Sequence, residues 1–96
     1  MMVLITYDVD TISETGAKRL RKVAKVCQDY GHRVQNSVFE CRLTEAQFVL
    51  VKNKIVKIIN MELDNIRFYF LGNNWPRRIE MIGKKDGVDL DGELIV

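Results

Sequence analysis

Two apolar stripes at helical spacing, each bracketed by short runs of strand-forming residues, constrain this chain more than any other feature. The first stripe is Leu20, Val23, Ala24, Cys27 and Tyr30, at the i, i+3, i+4, i+7 spacing that lines one side of a helix. It predicts a helix over 14–30, led in by the polar connector DTISETG at 10–16. Gly31 follows as the expected stop, because glycine takes the left-handed conformation that closes many helices. The second stripe, Phe48, Val51, Ile55, Ile58 and Ile59, predicts a helix reaching about Asn60. Thr44-Glu45-Ala46-Gln47 opens it as a capping box, with Thr44 as the cap and Gln47 reaching back. Around the helices lie the extended runs VLITYDV at 3–9, RVQNSVFECR at 33–42, IRFYFL at 66–71 and RIEMI at 78–82. Asn36-Ser37 divides the second run into strands at about 33–35 and 37–43.

The order is therefore β-α-β-β-α-β with a C-terminal extension. Two one-sided helices and four strands suit an α+β, ferredoxin-like arrangement, with an antiparallel sheet carrying both helices on one face. A chain of 96 residues makes one such domain, expected over 1–72, with the extension over 73–96. Ile79, Met81 and Ile82, then Leu94, Ile95 and Val96, are apolar segments outside the βαββαβ unit. Left bare they are adhesive edges, so they are expected to cross to a sheet edge of a second copy and form a homodimer. The alternative is that they fold back on their own domain.

Net charge is only +2, but its distribution is uneven. Residues 17–25 hold five Lys/Arg and no acid, while residues 86–93 hold four acids and no base. Cys27 and Cys41 fall in a helix and a strand and belong to no CxxC or Cys/His cluster. They are expected to be small core residues, and no zinc site is expected. No basic N-terminal region precedes a long apolar run, so a cytoplasmic protein with no membrane segment is expected.

Asp8 stands at the end of the first strand, where a scaffold presents a charge to a ligand. A hard metal ion such as Mg²⁺, or Mn²⁺ in its place, takes oxygen ligands and keeps several waters. One carboxylate is a poor site, but a two-fold axis near Asp8 would bring two together. The competing role for Asp8 is a cap on the following turn, and for Asp10 a cap or a solvated loop residue. Lys18, Arg19, Arg21, Lys22 and Lys25 form a basic helix surface suited to phosphates, or else a solvated face. Lys18, Lys22 and Lys25 lie opposite the apolar stripe, and Arg19 and Arg21 on its flanks. No base-reading motif accompanies them, so contacts to the nucleic-acid backbone are expected. Arg77 and Arg78 extend the track or belong to a solvated loop. His32 is expected as an exposed turn residue and not a catalytic base, Ser37 as a turn or strand residue and Phe39 in the core, and no GxGxxG or P-loop spacing suggests a nucleotide cofactor.

LITYDV at 4–9, KRLRKVAK at 18–25, YGHRVQNSVFEC at 30–41 and IRFYFLGNN at 66–74 together resemble the small CRISPR-associated endonuclease, the smaller of two proteins common to spacer acquisition. The resemblance runs over essentially the whole chain. It implies a ferredoxin-like dimer whose C-terminal strand crosses to the partner. It also implies that Asp8 holds a metal facing its symmetry mate, with Tyr7 as the aromatic before it. Arg19 and Arg21 match the family's helix-one basic positions, and Arg33 and Phe39 its strand arginine and aromatic. By the same resemblance the expected activity is a metal-dependent nuclease on single-stranded RNA or duplex DNA. The expected partner is a larger CRISPR adaptation integrase. A non-catalytic adaptor that holds protospacer duplex and bridges the integrase is the alternative.

Overall fold

The computed structural model describes residues 1–10, 12–72 and 79–84. Strand β1 (Met2–Asp8) runs through the middle of the sheet and alternates strictly. Val3, Ile5 and Tyr7 are buried under the helices, so Leu4, Thr6 and Asp8 point to the opposite face. Helix α1 (Glu14–Gln28) begins at Ser13, whose hydroxyl accepts from the Gly16 amide at 3.1 Å. Its stripe Leu20, Val23, Ala24 and Cys27 is buried as the spacing predicts, and Tyr30 packs at the core's margin.

Strands β2 (Gly31–Gln35) and β3 (Val38–Arg42) form a hairpin turning at Asn36-Ser37. Helix α2 (Glu45–Ile58) carries the expected capping box: Thr44 Oγ1 accepts from the Gln47 amide at 3.1 Å, and Gln47 Oε1 from the Thr44 amide at 2.9 Å. Strand β4 (Asn65–Leu71) pairs with β1, and β5 (Ile79–Gly83) with β4, giving the antiparallel order β2-β3-β1-β4-β5. The first four strands in the order β4-β1-β3-β2, with two helices on one face, are the ferredoxin-like arrangement. Phe48 of α2 fixes the helix on the sheet by meeting Phe68 and Phe70 edge-on, with ring centroids 5.2 and 5.0 Å apart. Such pairs add about 0.5–1.5 kcal/mol each beyond their burial.

One expectation is corrected. Gly31 does not close α1, which ends at Gln28 with Asp29 as its cap. Among the described residues only Gly72 and Gly83 have positive φ. Gly31 instead opens β2, where a Cβ would lie 2.0 Å from the Glu40 carbonyl oxygen, so the strand backbones pass too close for a side chain. Residues 79–83 form β5 against β4 of the same chain, Ile82 opposite Ile66 and Ile79 opposite Tyr69. The apolar end Leu94, Ile95 and Val96 lies outside the described residues.

Cys27 and Cys41 are buried free thiols, with Cys41 Sγ donating to the Cys27 carbonyl at 3.5 Å. No helix among the described residues is long and apolar enough to cross a membrane.

Candidate active site

Both helices cover one face of the sheet and leave the other bare. Antiparallel register arranges that face in rows. Leu4 lies between Glu40 and Tyr69, with Ile79 beyond. Thr6 lies between Val38 and Arg67, with Met81 beyond. At the rim Asp8 sits opposite Asn65, with Gly83 beyond. Asp8 is exposed and lines a cavity of about 380 Å³ together with Thr6, Tyr7, Ser37, Asn65 and Arg67. A second, smaller cavity on its other side is lined by Asp8, Val9, Asp10, Leu63, Asn65 and Lys84. Asp10 also caps its own turn, its Oδ1 accepting from the Ile12 amide at 3.1 Å. Ser37 is a turn residue whose carbonyl accepts from the Tyr7 amide at 2.9 Å, tying the hairpin to the end of β1.

Under the sheet at the same corner lies a second carboxylate that sequence reasoning missed. Asp64 is fully buried. It accepts from the Tyr7 hydroxyl at 2.5 Å, Arg19 Nε at 2.7 Å, Arg19 Nη2 at 3.1 Å and the Asn60 amide at 3.0 Å. Burial alone would push its carboxyl up, but Arg19, the Asn60 amide and Tyr7 outweigh that and hold it below its ordinary value. Burial, then the bond to the Asp64 carboxylate, pushes the Tyr7 phenol well above its ordinary value, so Tyr7 stays a neutral donor. The hydrogen bond to Asp64 also raises Arg19. The backbone closes over this group: the Lys84 amide donates to the Asp64 carbonyl at 2.7 Å. Gly83, at φ +105°, passes where a Cβ would meet that carbonyl oxygen at 2.3 Å.

Arg19 is therefore committed to an internal ion pair, its side chain only 14% exposed, and does not stand open to a polyanion. The helix turns this flank inward toward Asp64, which periodicity alone does not reveal. Lys18, Arg21, Lys22 and Lys25 remain an exposed ridge on α1. Arg33 is exposed at the hairpin, donating from Nε to the Asn36 carbonyl at 2.7 Å and lying 5.6 Å from the ring centroid of buried Phe39. His32 is exposed at the start of β2. Arg77 and Arg78 lie outside the described residues.

Among the described residues no three His, Cys, Asp or Glu side chains gather into a ready metal cage. The donor set still suits a hydrated hard cation. Asp8 offers exposed carboxylate oxygens to a cavity with room for water, and Mg²⁺ commonly binds through one or two carboxylates plus water and phosphate.

Comparison with known proteins agrees with this geometry. The family model described as CRISPR associated protein Cas2 matches residues 1–79. A relative from Halalkalibacterium halodurans named CRISPR-associated endonuclease Cas2 is 54% identical over 95 residues, covering 99% of each chain. One from Chlorobaculum tepidum named CRISPR-associated endoribonuclease Cas2 is 51% identical over 96 residues, covering 100% of both. The crystal structure of Streptococcus pyogenes Cas2 at pH 6.5 superposes with a TM-score of 0.74 at 60% identity, covering 86% of this chain and 100% of that one.

Proposed function

The chain belongs to the CRISPR associated protein Cas2 family, and from that premise we propose that it is a metal-dependent endonuclease of the CRISPR adaptation machinery, acting on RNA or DNA as a homodimer. The observation that carries this is the placement of Asp8: an exposed carboxylate at a strand end, opening into a cavity on the bare face of the sheet. Asp8 holds the ion, Mg²⁺ or Mn²⁺. A bound Mg²⁺ supplies charge neutralisation at a phosphodiester and acidifies water. Tyr7, clamped by Asp64, fixes the end of β1 from which Asp8 projects. Lys18, Arg21, Lys22 and Lys25 grip the nucleic-acid backbone without reading bases. The bare face supports the homodimer. A two-layer fold leaves Leu4, Val38, Tyr69, Ile79 and Met81 without a covering layer, and packing two such faces together would bury them and bring the two Asp8 rims near each other.

One observation favours a second role. With a single carboxylate at the site and no cage of three ligands among the described residues, catalytic demands are met thinly, while an exposed basic ridge suffices for an adaptor. In that role the dimer holds duplex DNA and bridges the larger adaptation integrase.

Asp8→Asn separates the two. Wild-type protein is expected to cleave in Mg²⁺ and stop in chelator, and Asp8→Asn to lose cleavage while binding duplex as before. Cleavage that persists in the variant or in chelator overturns the nuclease. Replacing the four ridge cations with Gln should flatten the dependence of binding on salt, by a slope of about 0.9 for each phosphate that is no longer neutralised.

A further inference from the structure

We propose that Lys54 and Lys57 of α2 join the α1 ridge in a two-helix platform for duplex nucleic acid, on the face of the protein opposite the Asp8 cavity, an inference that rests on the ridge itself binding the nucleic-acid backbone. Residues 15–28 and 46–61 contain no acid. A helix surface built only for solubility intersperses both signs of charge. Among the described residues, ion pairs take Arg19, to Asp64 at the base of α1, and Lys52, to Glu80 of β5. Lys18, Arg21, Lys22, Lys25, Lys54 and Lys57 are left, all exposed.

The topology sets the two helices side by side and antiparallel. Strand β1 ends at Asp8, and α1 starts from that end of the sheet. Strand β3 ends at Arg42, level with Met2 at the other end, and α2 starts from there. Arg19, near the start of α1, and the Asn60 amide, just past the end of α2, accordingly meet at Asp64. Lys18 and Lys22 therefore lie level with Lys54 and Lys57. Lys52 turns toward β5 and so marks the flank of α2 that faces away from α1. At about 100° per residue, Lys54 and Lys57 stand about 140–160° around the helix from Lys52, on the side toward α1. Exposed Val49 and Val56 lie on the Lys52 flank, outside the platform, and Leu50 borders it one turn before Lys54.

Packed helices run about 8–10 Å apart, so the lysines form two rows and not one line. Lys18 to Lys25 covers about 10 Å of α1, close to three base-pair steps at about 3.4 Å each. A single strand follows one row, whereas a duplex offers a phosphate backbone to each. Pairing two protomers through the bare sheet face would leave this layer open, because the helices cover the other face. Nucleic acid held here is held away from Asp8, and its binding needs no metal.

The test uses full-length protein in chelator, with a short labelled DNA duplex and one of its single strands as probes, titrated across salt by fluorescence anisotropy. The double variant Lys54→Gln, Lys57→Gln should lose at least about 10-fold in duplex affinity at about 50 mM salt, and its salt slope should fall by about 0.9 for each lysine. Single-strand affinity should change by less than about three-fold, since the α1 row remains. Lys54→Arg with Lys57→Arg should bind duplex as wild type does. Lys52→Gln removes one charge from the far flank and should leave the slope unchanged. Duplex binding that ignores the double variant overturns the proposal and leaves this side of α2 to solvent or to an acidic protein. An equal loss per charge from Lys52→Gln overturns it too, because net charge would then account for the effect, and so does an equal loss on the single strand. Replacing the four α1 cations in parallel keeps the two readings apart. If that variant loses duplex and the α2 pair does not, the platform falls and the ridge stands; if neither loses it, both fall.

Discussion

Asp8 and Asp64 occupy one corner of the sheet on opposite faces. Asp8 stands exposed beside a cavity of about 380 Å³, opposite Asn65 in register. Asp64, the residue before Asn65, is fully enclosed and accepts four hydrogen bonds. A carboxylate in water costs the fold nothing and stays available to a cation. One inside the protein is tolerable only when every acceptor position is answered. Asp64 is answered by β1 through Tyr7, by α1 through Arg19 and by the turn at Asn60. It therefore contributes to holding the corner, while Asp8 is left open to solvent.

The contrast predicts a ranked series of stability changes. Asp64→Asn should cost most, about 3 kcal/mol in urea denaturation, because it leaves the Arg19 cation beside a neutral group in a largely buried place. Acid titration of stability sharpens the point. The Asp64 carboxyl is held below its ordinary value in the folded state, so its contribution is complete above the unfolded carboxyl's range near pH 3.9. It is lost as pH falls through the lower folded value. Wild-type protein should show that extra acid-side loss, and Asp64→Asn should lack it. Tyr7→Phe should cost less, about 1–2 kcal/mol, by removing one donor from a carboxylate that keeps three. With it should go the loss of stability above about pH 10, where an unfolded phenol ionises and the raised native one does not. Asp8→Asn should change stability by no more than about 0.5 kcal/mol. A large loss at Asp8, or none at Asp64, would break the division of labour.

Much of the fold was legible in the residues. The two apolar stripes, the Thr44 capping box and the Asn36-Ser37 turn rest on local rules, and each appears in the structure where the spacing puts it. Asp8 was legible too, because a strand alternation that ends on an acid shows which residue emerges. What was not legible depended on residues distant in the chain. Nothing local separates Asp64 in NMELDN from a solvated turn acid, since its side-chain partners Tyr7 and Arg19 lie 57 and 45 residues away. Arg19 reads as one more cation of KRLRKVAK for the same reason. Gly31 reads as a helix stop because the other cause of an obligatory glycine, the closeness of a neighbouring strand, is set by tertiary packing.

The sharing of Asp64 among β1, α1 and the turn before β4 bears on how relatives can be recombined. A chimera joined anywhere between Gln28 and Asn60 takes Tyr7 and Arg19 from one parent and Asp64 from the other. Such hybrids should express well only when the parents agree at all three positions. A mismatch would trap an orphan ion beneath the graft, whatever the overall identity of the two halves.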